Sequence, residues 1–103
     1  MLVINIENLN REYEIINMVM GSCILSKHLG KDIIAGLKLI TIGGELKGYT
    51  EMLNESRNIA ISRMVKQAEE LKADAIIGVR FNSSTITSGA AEYLVYGTAV
   101  KYI

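Results

Sequence analysis

The sequence predicts one two-layer α+β domain spanning residues 1–103, an antiparallel sheet packed on one long helix, with a short extra helix and an N-terminal strand. Three observations predict it. Residues 45–73 carry apolar side chains at helical spacing. Two β-rich runs, 75–82 and 92–102, follow directly. A third strand-like run, 13–20, precedes the helical part. A chain of 103 residues has material for one hydrophobic core and no room for a second. It contains no proline, internal repeat or low-complexity tract, so nothing marks a linker or a domain boundary.

Taken in order, Leu2 to Ile6 and Tyr13 to Met20 read as strands, separated by the polar turn Glu7, Asn8, Leu9, Asn10 and Arg11. Leu29, Ile33, Leu37 and Ile40 recur at helical spacing and predict a short helix, which Gly36 weakens by roughly 1 kcal/mol relative to alanine. From Glu45 to Ala73, the residues Leu46, Tyr49, Leu53, Ala60, Met64, Ala68 and Leu71 form one stripe, widened by Met52, Ile61 and Val65. At ~1.5 Å per residue this helix reaches about 40 Å, with Gly48 placed to interrupt its first turn. Glu45, Glu51 and Glu55 toward the start and Lys66 and Lys72 toward the end suit the helix dipole.

The last two strands read as a hairpin with a long polar loop, Ser83 to Gly89. Simple alternation sends Ala75, Ile77, Val79 and Phe81 to one face and Ile76, Gly78, Arg80 and Asn82 to the other. The strands 13–20 and 92–102 are also apolar on both faces, so both faces of the sheet need cover. One long helix covers one face. The other requires the 29–40 segment or a second copy of the chain.

Charge excludes several function classes. Eleven basic and eleven acidic side chains cancel, and the basic ones are scattered from Arg11 to Lys101, so no nucleic-acid partner is expected. No apolar run approaches the ~18 residues of a membrane span, and no basic region leads into an apolar stretch at the N-terminus, so no membrane association is expected and the cytoplasm is the expected compartment. The lone Cys23 has no partner for an internal disulfide, which suits a reducing compartment. Half of the residues are hydrophobic at zero net charge, a composition that favours association.

The stretch Gly43, Gly44, Glu45, Leu46, Lys47, Gly48, Tyr49, followed by Arg57 and Ala60, then Ala73 to Val79 and finally Gly97 to Val100, resembles the YbjQ-like family in order and spacing. The likeness runs from about Ile16 to Lys101. It implies a β-α-β-β subunit of the dodecin-like type assembled into a pentameric ring, and a heavy-metal-binding label. Three departures from the family pattern matter. Gly21-Ser22 stands where a Gly-Glu pair is common, which removes an acidic side chain. Lys72 stands where glycine often precedes Ala-Asp-Ala, so a left-handed helix end there carries a non-glycine penalty. Cys23 and His28 stand where small or amide residues are expected, so the soft ligands of this chain do not coincide with a shared site.

Candidate chemistry is sparse. Cys23 and His28 are the only soft metal-ligand candidates beside Met18 and Met20, and one thiolate with one imidazole falls short of the four ligands of a closed zinc site. A ring is the one arrangement that multiplies them, because a side chain near a symmetry axis occurs once per subunit. Gly43 and Gly44 ahead of a helix offer backbone N–H groups to an anion, although Glu45 opposes one. Asp74 is either an acid/base or a backbone-bonding residue. Tyr49, Tyr93, Tyr96 and Tyr102 serve either a flat ligand or packing, and the Ser83 to Ser88 cluster has no histidine nearby in sequence.

The expected function is therefore a non-catalytic oligomeric binding or scaffold protein, its partner itself, with a pentamer implied by the resemblance. The cofactor is left open, a divalent or soft metal ion or a small molecule held between subunits. The alternative is an enzyme whose active site is assembled at subunit interfaces from Asp74, Glu45, Tyr49 and the hairpin loop.

Overall fold

The computed structural model describes residues 1–26, 41–42, 45–87 and 90–103, with side chains for 1–25, 50–85 and 90–103. The strands β1 (Leu2–Val3), β2 (Tyr13–Ser26), β5 (Ala75–Thr87) and β6 (Ala90–Tyr102) form one sheet in the order β1-β5-β6-β2. Between β2 and β5 lie β3 (Thr41–Ile42) and β4 (Glu45–Leu46), which pair with each other, and the helix α1 (Lys47–Glu70). The predicted helix over 29–40 lies outside the described residues.

The sheet is mixed. β2, β6 and β5 are antiparallel neighbours as expected, but β1 joins β5 in parallel. Beyond β1 the chain keeps pairing, since the Ile4 amide donates to the Ile76 carbonyl (3.0 Å) and the Ile6 carbonyl accepts from Gly78 (2.7 Å). The strands also outrun their predicted ends. β2 continues through Gly21, Ser22 and Cys23, and Ser83 to Thr87, expected in a loop, extend β5. Pairing with β6 outweighs the low β propensity of the serines, because each ladder bond satisfies a backbone group.

α1 lies over β2 and β6. Among the described side chains its buried residues are Met52, Ser56, Ala60, Met64 and Ala68, one every four positions, with the Ser56 hydroxyl donating to the Met52 carbonyl (2.9 Å). This differs from the predicted stripe: Leu53 is half-buried and Leu71 is exposed. The reason is close approach. A Cβ on Gly21 would sit 2.5 Å from the Met64 amide nitrogen and closer still to the Ala60 carbonyl oxygen, so helix backbone rests on strand backbone where Ala60 and Gly21 meet. Val19, Cys23, Ile76, Val79, Val95 and Ala99 complete the core under this contact. The helix starts at Lys47, so Glu45 falls in β4, and Gly48 does not interrupt the first turn. No acidic residue occupies the first turn and no basic one the last, so the expected dipole arrangement is absent. Packing, rather than the dipole, holds this helix.

β5 does not alternate simply. Between the pairs Ile77↔Thr98 and Arg80↔Tyr96, two residues, Gly78 and Val79, oppose the single Gly97. Gly78 takes φ 62°, and this bulge returns Val79 to the helix side with Ile76. Gly97 leaves room for it, since a Cβ there would press on Ile76 Cγ2 (2.8 Å) and the Ile77 carbonyl (3.0 Å). Ala75 and Ile77 instead face the far side with Val100, where Ile4, Leu9, Tyr13 and Tyr102 cover them. Part of the second face is thus covered by the chain's own N-terminal segment, a source of cover absent from the sequence-based expectation.

At the end of α1, Ala73 N–H bonds the Ala68 carbonyl (3.0 Å) and Lys72 N–H bonds the Glu69 carbonyl (2.9 Å), with Lys72 at φ 59°. This is a Schellman closure with lysine in the left-handed position, so the predicted penalty is present. Two substitutions should therefore move stability in opposite directions. Lys72→Gly is expected to stabilise by roughly 0.5–1 kcal/mol. Gly21→Ala is expected to destabilise by about 2 kcal/mol or more, because only backbone could yield to the new methyl group. Denaturant melts check both. Equal midpoints for Gly21→Ala and the parent would show that α1 does not rest on β2 at this point.

Candidate functional site

The surface that remains open follows from the same packing. Along β2, Val19, Gly21 and Cys23 turn toward α1, which sends Met18, Met20 and Ile24 to the opposite face. Across the ladder they pair with Thr98, Tyr96 and Glu92 of β6, and Ile15 pairs with Val100. Ile15 is 71%, Met18 57% and Ile24 58% exposed, with Met20 and Tyr96 also open. These five residues make an apolar strip on the sheet face away from α1, beside the cluster that the N-terminal segment covers.

β2 ends the strand order, so its outer backbone edge carries no strand among the described residues. Side chains meet it instead. The Met18 amide donates to Asn17 Oδ1 (2.8 Å), the Met20 amide donates to Gln67 Oε1 (3.0 Å), and Arg63 Nη1 donates to the Ser22 carbonyl (2.7 Å). A shallow groove of about 370 Å³ lies here, lined by Asn17, Met18, Met20, Gln67, Glu70 and Leu71. Its one carboxylate, Glu70, has no titratable partner in the lining. A second depression of about 400 Å³ adjoins Ile15 and holds Arg80. Arg80 is committed, however: it donates to the Asn5 (2.8 Å) and Val79 (3.0 Å) carbonyls and pairs with Glu7 (3.2 Å). Its donors hold the N-terminal segment against the bulge.

The sequence-predicted candidates do not converge among the described residues. Cys23 is a buried, free thiol on the α1 side of the sheet, and Met18 and Met20 are on the other side. His28, Gly43 and Gly44 lie outside the described residues. Tyr49 falls in the first turn of α1, and Glu45 is in β4. Asp74 accepts from the Tyr102 amide (2.8 Å), its own amide bonds the Val100 carbonyl (2.8 Å), and Lys101 Nζ lies 3.7 Å from its carboxylate. It therefore joins β5 to the end of β6. Tyr102 lies in the second apolar cluster with the Arg11 guanidinium 3.6 Å above its ring, and Tyr93 has Arg57 at 5.9 Å. Ser83, Ser84 and Thr85 are exposed along β5. Sequence reasoning missed Ile15, Ile24, Arg63 and Gln67. Strand parity extended through Gly21 would have found Ile24, whereas Arg63 and Gln67 carry no signal until the helix is placed over the edge.

A family model described as "Putative heavy-metal-binding" matches residues 1–103. The chain belongs to this family, the YbjQ-like proteins. Among its relatives, a UPF0145 protein of Thermotoga petrophila is 64% identical over 91 residues, 88% of this chain and 85% of the relative. A UPF0145 protein of Clostridium novyi is 51% identical over 104 residues and spans all of both chains. A crystal structure of a protein of unknown function from Pediococcus pentosaceus, of the DUF74 family, aligns with TM-score 0.73 over 100% of this chain and 98% of that one, at 20% identity. That likeness shows the fold. The relatives' names assign no reaction, and the function of this YbjQ-like chain is unknown.

A resident heavy metal would need soft or anionic donors on one site. Among the described residues, no three His, Cys, Asp or Glu side chains group in a metal-holding arrangement, and the sheet itself separates Cys23 from Met18 and Met20. These residues do not fit the group that the family label names. The expected result is that zinc and copper content after purification, read by elemental mass spectrometry, is the same for the parent and Cys23→Ala. Stoichiometric metal lost only in Cys23→Ala would contradict it.

Proposed function

We propose that this YbjQ-like chain is a self-associating, non-catalytic binding or scaffold module, and that copies meet through the open strip of Ile15, Met18, Met20, Ile24 and Tyr96. The observation that carries the reading is that strip itself. It spans two strands with Ser22 between Met20 and Ile24, it carries no charge among those five residues, and Ile15 borders the apolar cluster under the N-terminal segment through its partner Val100. Burying it would remove apolar area at about 25 cal/mol per Å² from water. A heterologous contact between copies closes into a ring or propagates as a filament. A closed cyclic homo-oligomer is proposed on that ground, with a pentamer as the subunit number that the family resemblance implies. Any ligand, a metal ion or a small molecule, would then be held where copies meet. The cytoplasm is the proposed compartment, in keeping with a free Cys23.

Met18→Glu combined with Ile24→Glu tests this reading, because both positions are exposed and should change the stability of an isolated subunit by only about 0.5 kcal/mol. Light scattering should show a multiple of 11.3 kDa for the parent and a smaller species for the double variant. Melting midpoints of the parent should rise with protein concentration. A parent that stays at 11.3 kDa across micromolar concentrations would contradict the reading.

A further inference from the structure

We propose that Arg63 and Gln67 form a guard on the outer edge of β2, blocking addition of a strand from a second copy of this chain. An edge strand normally presents a row of backbone donors and acceptors that another strand can pair with. β2 is long, 14 residues, and it ends the sheet order, so it is the most exposed template in the described fold. At three alternate outward-facing positions, 18, 20 and 22, one backbone group each has a side-chain partner: Asn17 for the Met18 amide, Gln67 for the Met20 amide and Arg63 for the Ser22 carbonyl.

The match is geometric. Arg63 and Gln67 are four residues apart on α1, about 6 Å along the helix. Met20 and Ser22 are two apart on β2, about 6.6 Å along the strand. A helix lying along the edge thus presents one acceptor and one donor in register with one strand donor and one strand acceptor. The chemistry is matched too: a glutamine oxygen takes the N–H and a guanidinium takes the C=O, at 3.0 and 2.7 Å. Both side chains are polar and solvated, so they also place a cation and an amide where an incoming strand would lie. Any pairing strand must first displace them.

This role does not rest on self-association through the open strip, which uses side chains on the sheet face and not the backbone edge. The test uses the full chain with Gln67→Leu, Gln67→Glu and the double variant Arg63→Ala/Gln67→Leu. Glutamate keeps the acceptor, so it should behave like the parent. Hydrogen exchange read by NMR should show the Met20 amide exchanging about five- to tenfold faster in Gln67→Leu and unchanged in Gln67→Glu. Size-exclusion chromatography with light scattering should show the double variant gaining species larger than those of the parent, growing with concentration, whatever the parent's own subunit number. An unchanged Met20 exchange rate in Gln67→Leu would overturn the proposal. So would faster exchange with no new species in the double variant, which would leave the two bonds as ordinary packing. A parent that is monomeric but whose double variant associates would refute the open-strip contact while supporting the guard.

Discussion

The contact of α1 on Gly21 is the constraint from which the rest of the arrangement follows. Helix and strand can come this close only because neither Gly21 nor Ala60 brings a side chain larger than a methyl group between them. Once the helix backbone is seated there, Met52, Ser56, Ala60, Met64 and Ala68 are the residues buried against the sheet, with Ile59, Ile61 and Val65 packed at their flanks. Val19 and Cys23 flank the contact on the strand and become core. Close packing at this level leaves little tolerance, because interiors fill as densely as organic crystals.

Seating α1 over β2 and β6 has a cost on the opposite side of the sheet. Residues that alternate with the buried ones must point away, and on β2 these are Met18, Met20 and Ile24. The N-terminal segment shields one end of that face through Ile4, Leu9 and Tyr13, and is itself held by Arg80 at the Gly78 bulge. The shield stops near Ile15, which is largely exposed. The same helix that opens this face also lays Arg63 and Gln67 along the strand edge. Face and edge therefore differ: the face stays apolar and open, while polar side chains of α1 meet the edge at Met20 and Ser22.

How much of this was legible in the sequence depends on whether the signal was periodic. The long helix and the strands around it were readable because Ala60, Met64 and Ala68 repeat at helical spacing and the strand runs are β-branched. The apolar character of both sheet faces was readable for the same reason. Lys72 was readable as a strained helix end only through the family resemblance, which implies glycine there, and the structure places it at φ 59°. The bulge was not, because Gly78 breaks the period and moves Val79 to the helix side with no compositional mark beyond a single glycine. Parallel pairing of β1 with β5 is non-local and leaves no local trace. The choice of Met52 over Leu53 as a buried residue depends on the angle at which α1 meets Gly21, which hydrophobicity alone does not encode. Of the site, Met18 and Met20 were weighed as soft ligands against plain packing residues. Their parity opposite Cys23 places them instead on the open face.

The central claim is that this open face is where copies of the chain meet. Methionine oxidation reads it directly, because a thioether is oxidised in proportion to its access to peroxide. The five methionines include internal references: Met1 is 49% exposed, whereas Met52 and Met64 are buried. Peptide mass spectrometry after a brief peroxide pulse should show Met18 and Met20 protected relative to Met1 at micromolar protein, and reactive after dilution, with Met64 protected throughout. Met18 and Met20 oxidising as fast as Met1 at every concentration would contradict the account.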